Sequence, residues 1–127
     1  LVEDSEIYQS ILRAQLVTLG YVVHVASNGK EALEAVRQTD FELILMDCEM
    51  PEMDGFESAQ TIRKMEAEKG LLPIPILAMT GHSSDDIRFL CLRAGMNEFI
   101  TKPIDTEALG NALRPWLELE KAVQTDR

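Results

Sequence analysis

Apolar residues follow two rhythms along the chain. Phe41 and the run Leu43, Ile44, Leu45, Met46 lead almost without interruption into one carboxylate, Asp47. A near-continuous apolar run bounded by turn residues predicts a strand buried on both faces, as in a parallel sheet. Residues 76–80 (ILAMT) repeat the pattern and end on a hydroxyl. Residues 21–26 (YVVHVA) are β-branched and short, and 98–101 make a further short strand. Leu1 and Val2 read as the tail of a strand whose start is missing. Between these runs the period becomes helical. Residues 5–19 predict a helix ended by Gly20. It carries two apolar stripes, Leu12, Leu16, Leu19 and Ile7, Ile11, Ala14, where one suffices to face a core. Asn28 with Glu31, and Asp54 with Glu57, fit N-caps with a Glu at N3. They open helices to about Arg37 and Glu68. Another helix ends near Arg93, and Asp105 caps a last one to about Leu119. The polar tail from Lys121 is expected to fray.

Strands alternating with helices at this spacing predict an α/β fold, a doubly wound parallel sheet of five strands with helices on both faces. The 127 residues make one domain, its first strand truncated. No run of about 18 apolar residues and no signal-peptide pattern occurs, so the chain reads as soluble and cytoplasmic, without membrane contact of its own. A net charge of −10 argues against a nucleic-acid surface. Cys48 and Cys91 lie far apart without metal-ligand spacing and read as free thiols.

The chemistry gathers at the carboxyl ends of the strands. Glu3 and Asp4 follow the first, Asp47 the third, Thr80 the fourth and Lys102 the fifth. In this architecture those ends line one crevice. Clustered carboxylates repel by about 4 kcal/mol for a pair about 4 Å apart at an effective dielectric of about 20. Such a cluster wants a cation, and an all-oxygen set favours Mg²⁺, Mn²⁺ or Ca²⁺. A lysine and a hydroxyl on the far side suit phosphoryl oxygens. This is a site for moving phosphate onto a carboxylate.

On these residues the chain resembles the receiver domain of two-component response regulators over essentially its whole length. The resemblance is carried by Glu3 and Asp4, Met46 and Asp47, MPEMDG at 50–55, the strand from Pro75 to Thr80, and Lys102 with Pro103. It implies a flavodoxin-like sheet of order 2-1-3-4-5, an order the family also supplies as a general example. It implies that Asp47 is the phosphoacceptor, and that Mg²⁺, or Mn²⁺, is held by Glu3, Asp4, Asp47 and the backbone carbonyl of Glu49. Lys102 is then the phosphate-binding lysine, joined to Pro103 by a cis bond. Thr80 is the switch hydroxyl, Phe99 the aromatic that turns inward with it, and Gly81 the small residue that keeps the phosphate reachable. Glu49 and His82 occupy positions that influence phosphoryl lifetime. The implied partner is a histidine kinase or histidine phosphotransfer domain, docking on the stripe of Ile7, Ile11 and Ala14 if that stripe is exposed, the alternative being that the sheet and neighbouring helices bury both stripes. Details of the central strands are similar to receivers of hybrid sensor histidine kinases, a stand-alone response regulator being the alternative. The domain is not expected to be a conventional turnover enzyme.

Two rivals share parts of this pattern. A flavodoxin-type redox protein needs a hydroxyl- and glycine-rich phosphate loop after the first strand, where this chain has Glu3, Asp4 and Ser5. A haloacid-dehalogenase-type phosphatase needs an Asp two residues after its nucleophile and Thr or Val two further on, where this chain has Glu49 and Pro51.

Overall fold

The computed structural model describes residues 1–50, 54–81 and 85–125, with side chains through 117. The expected turn at 51–53 and the loop with His82, Ser83 and Ser84 lie outside them. The described residues form α1 (Glu6–Thr18), α2 (Gly29–Gln38), β1 (Ile44–Asp47), α3 (Gly55–Lys69), β2 (Ile76–Thr80), α4 (Asp85–Arg93), β3 (Glu98–Thr101) and α5 (Thr106–Thr125).

The three strands form a parallel sheet in the order β1-β2-β3. Ile44 pairs with Ile76 and Asp47 with Met79, while Thr80 pairs with Thr101. The predicted first and second strands are reduced to bridges. Val2 pairs in parallel with Ala26 on one side and Met46 on the other. The Val2 N–H donates to the Leu45 carbonyl, and the Val2 carbonyl accepts from the Asp47 N–H. Across the other side, the Ala26 N–H donates to the Leu1 carbonyl and the Glu3 N–H to the Ala26 carbonyl. The expected order is kept, with residue 2 between residue 26 and β1. Residues 21–25 form no ladder, and pairing on this side is the single bridge at Ala26.

Alternation along the strands divides the core. Ile44, Met46, Ile76 and Ala78 face one side, with Ala32 and Leu33 of α2, Ala59 and Ile62 of α3, and Cys91 of α4. Leu45, Leu77 and Met79 face the other, with Leu12 and Leu16 of α1 and Leu109 and Leu113 of α5. Trp116 packs against this second layer. All four residues of β1 and all five of β2 are buried, the two-sided burial read from their apolar runs.

Local chemistry sets the helix ends. The Ser5 hydroxyl accepts from the Tyr8 N–H, Asn28 caps α2 through the Glu31 N–H, and Asp54 caps α3 through the Glu57 N–H. Asp105 accepts from the Ala108 N–H at the start of α5. That helix continues to Thr125, so most of the tail expected to fray is helical. On α1, Leu12 and Leu16 are buried while Ile7, Ile11 and Ala14 are exposed, so the core takes one stripe only.

A polar knot around the buried Glu66 ties α3 to the two turns beside it. The Arg63 guanidinium donates to the Gly95 carbonyl at 2.8 Å, to Glu66 Oε1 at 2.7 Å and to Asn97 Oδ1 at 2.9 Å. Glu66, 3% exposed, also accepts from the Ile74 N–H, and Asn97 Oδ1 from the Ile76 N–H. Gly95 has φ +94, and a Cβ there would lie 2.8 Å from Arg63 Cγ.

Candidate active site

The carboxyl ends of the bridge at Val2 and of β1 bring Glu3, Asp4 and Asp47 together. One carboxylate oxygen of each lies within 4.8 Å of the others. Glu3 is completely buried, Asp47 is 4% exposed, and Asp4 is exposed at the mouth. Backbone pairing fixes the first two: the Glu3 and Asp47 N–H groups are both held by the ladder around Val2. Glu3 Oε2 accepts from the Ser5 N–H at 3.1 Å. Asp47 Oδ1 accepts from the Glu49 N–H at 3.0 Å, which orients the carboxylate.

Lys102 closes the site from the end of β3. Its Nζ lies 2.5 Å from Glu3 Oε1 and 3.3 Å from Asp47 Oδ2. The Lys102 N–H donates to the Thr80 carbonyl, so lysine and threonine are set by adjacent strands. Burial alone would lower the Lys102 pKa. The hydrogen bond to Glu3 and the charges of Asp47 and Glu3 outweigh it and hold the ammonium above its ordinary value. The bond from Lys102 to Pro103 is cis, as expected.

Three carboxylates against one ammonium leave a formal excess of two negative charges. The donor set is oxygen only, without imidazole or thiolate, and fits a hard divalent cation. Thr80 is fully buried beside the site at the end of β2. Phe99 is half-buried against the core layer of α2 and α3, with the Arg88 guanidinium 5.8 Å from its ring centre. A Cβ at Gly81 would meet no atom within 4 Å, so packing does not demand glycine there.

Two neighbours escaped sequence reasoning. The Tyr8 ring centre lies 4.4 Å from Lys102 Nζ, a cation–π contact that fixes the lysine from α1. Gln9 Nε2 donates to the Glu3 carbonyl at 2.6 Å and to Ser27 Oγ at 3.2 Å. Their signal was an aromatic and an amide within a turn of the acidic pair. Beside Lys102, residues Ile7, Tyr8, Ile11, Gln15, Pro103 and Ile104 line a groove of about 250 Å³. Ile7 is 72% and Ile11 49% exposed there. Gln15 Oε1 is buried in the groove wall with no hydrogen-bond partner, while its Nε2 donates to the Ile104 carbonyl.

The class of protein follows from a doubly wound parallel sheet with an acidic cluster at its strand ends, closed by a lysine after the last strand. Residues 1–114 match the family model of the response regulator receiver domain, and the chain belongs to that family. It is 43% identical over 115 residues to hybrid signal transduction histidine kinase B of Dictyostelium discoideum, covering 84% of this chain but 6% of that protein. The chain thus spans a small fraction of the curated relatives it matches. Among solved structures, the receiver domain of the sensor histidine kinase PA1611 of Pseudomonas aeruginosa, with magnesium in its active-site cleft, matches at 33% identity and TM-score 0.82. The match covers 92% of this chain and 93% of that one. The receiver of the response regulator Ssk1 of Saccharomyces cerevisiae, crystallised with the phosphotransfer protein Ypd1, matches at 32% identity and TM-score 0.86. It covers 91% of this chain and 84% of that one. Among the described residues, no helix is long and apolar enough to cross a membrane.

Proposed function

We propose that this domain takes a phosphoryl group from a phosphohistidine onto Asp47 and changes conformation in response. The observation that carries the reading is Lys102 Nζ set between Glu3 and Asp47 at the end of the sheet. In the transfer, an Asp47 oxygen attacks phosphorus in line, the P–N bond breaks, and the imidazole leaves with its electron pair. The Glu49 N–H holds Asp47 Oδ1 and limits rotation of the nucleophile. Lys102 exchanges part of its contact with the carboxylates for a phosphoryl oxygen and neutralises charge there. Thr80 offers its hydroxyl to another oxygen, and Phe99 follows the movement of Thr80. Glu3, Asp4, Asp47 and the Glu49 carbonyl would hold Mg²⁺, or Mn²⁺ in its place. The bound ion would supply positive charge to the transferring group.

The groove beside Lys102 is the surface on which a donor docks, with Ile7 and Ile11 as anchors. The donor is a histidine kinase or phosphotransfer domain, a reading supported by the Ypd1 complex of the Ssk1 receiver. The parent protein is a hybrid histidine kinase, a reading supported by the relatives, and this domain lies on its cytoplasmic side.

The test is labelling by acetyl phosphate, or occupation by beryllofluoride, with Mg²⁺. Wild type is modified on Asp47 and Asp47→Asn takes up no label. Unchanged labelling of that variant would falsify the assignment.

A further inference from the structure

Two buried thiols meet behind the acidic site. Cys48 follows Asp47 in the chain, and Cys91 is the single buried residue of α4. Their sulfurs are 3.9 Å apart, against about 2.0 Å in a disulfide. The Cys48 N–H donates to the Met79 carbonyl, so Cys48 is fixed to the sheet. The helix α4 is held far less firmly. It has nine residues, and Phe89, Leu90 and Leu92 point to solvent. Few buried contacts make a segment cheap to open. Cys91 is therefore the buried anchor of α4 and lies directly against Cys48.

We propose that Cys48 and Cys91 form a redox modification site, at which hydrogen peroxide oxidises the pair to a disulfide that locks α4 to the end of β1. One thiolate attacks a peroxide oxygen, the O–O bond breaks, and water leaves after taking up a proton. The other thiolate attacks the resulting sulfenic sulfur, the S–S bond forms, the S–O bond breaks, and a second water leaves. Two thiols lose two electrons and the peroxide becomes two waters. Both thiols are shielded from solvent, Cys48 being 3% and Cys91 1% exposed. The closed fold therefore resists oxidant, and reaction waits on opening of α4. The bridge ties the residue beside Asp47 to the helix after Thr80, so it opposes any joint movement of Thr80 and α4. That consequence rests on the reading of Asp47 as phosphoacceptor. The bridge itself does not.

The protein is treated with hydrogen peroxide, with and without urea below the unfolding transition, then alkylated and mapped by mass spectrometry without reduction. The expected product is a linked peptide pair containing Cys48 and Cys91, lighter by two hydrogens than the separate peptides. It forms several-fold faster with urea, reverts with dithiothreitol, and is lost in Cys48→Ala and Cys91→Ala. Bridged protein exchanges the amides of α4 more slowly and labels from acetyl phosphate several-fold more slowly than reduced protein. Only intermolecular links, or sulfinic acid without a bridge, overturn the site. Equal labelling rates of bridged and reduced protein overturn the coupling. Absence of labelling in the reduced protein counts against the Asp47 reading alone, since the peptide map does not depend on it.

Discussion

Lys102 Nζ sits 2.5 Å from Glu3 Oε1, although 99 residues separate them in the chain. Glu3 is fully buried and the lysine side chain is 12% exposed, so each is the main answer to the other's charge. Removing one partner of a buried pair costs about 3–5 kcal/mol. Lys102→Met should lower stability by about 3 kcal/mol in the presence of a chelator. Mg²⁺ should then restore more stability to the variant than to wild type, because the excess of carboxylate is larger. Thermal melts of both proteins with EDTA and with Mg²⁺ check this. Equal Mg²⁺ shifts would argue against a shared cation site.

Alkaline pH tests the same lysine together with Cys48. Lys102 is held above its ordinary 10.5, and Cys48 is pushed above its ordinary 9.0. Both keep their protons more tightly when folded. Their contributions are fully present below the unfolded values and are lost as pH rises through the folded ones. The melting temperature should therefore fall from about pH 9 upward, first through the thiol and then through the lysine. Cys48→Ala should flatten the early part of the fall, and an unchanged profile would contradict the assignment.

At the exposed stripe of α1, Ile11→Asp should leave stability within about 0.5 kcal/mol of wild type. Labelling by acetyl phosphate should persist, while transfer from a phosphohistidine-bearing protein slows. Normal transfer from the cognate donor would remove Ile11 from the docking surface.

Glu66 is the buried acid with a purely structural task. Glu66→Ala takes the carboxylate from Arg63 and strands the Ile74 N–H, and should destabilise by about 3 kcal/mol. Urea denaturation measures it, and a loss below about 1 kcal/mol would mean that water replaces the carboxylate.

A substitution at the end of β2 should separate uptake from response. Thr80→Ala should keep Mg²⁺-dependent labelling of Asp47 but shrink the NMR shift of Phe99 on beryllofluoride binding. A full-sized Phe99 shift would dismiss Thr80 as the relay.

The sequence was most readable where one residue type had one physical reason to be there. The runs ending at Asp47 and Thr80 could only be strands buried on both faces, and Asn28, Asp54 and Asp105 announced their helices by capping chemistry. Their loop positions also placed Glu3, Asp4, Asp47 and Lys102 at one end of the sheet. Residues 21–26 took the expected place beside Val2, but β propensity alone did not say how much of the stretch would pair, and the pairing there is the bridge at Ala26. Glu66 was invisible within a charged helix, since its burial depends on the return of Ile74. Cys48 and Cys91 gave no sign of contact, because their meeting is fixed by how α4 packs its one buried residue into the core layer that Cys48 shares.

Gly55 offers a way to silence the domain without touching a charge. A Cβ at this position would fall 2.4 Å from the Asp47 carbonyl oxygen and 2.8 Å from Cys48 Cα, both backbone atoms that cannot turn aside. The start of α3 thus leans directly on the peptide that carries Asp47, and any side chain at position 55 must displace one or the other. A Gly55→Ala protein would keep every carboxylate and Lys102 yet hold Asp47 in the wrong place, a loss-of-function control chemically independent of Asp47→Asn.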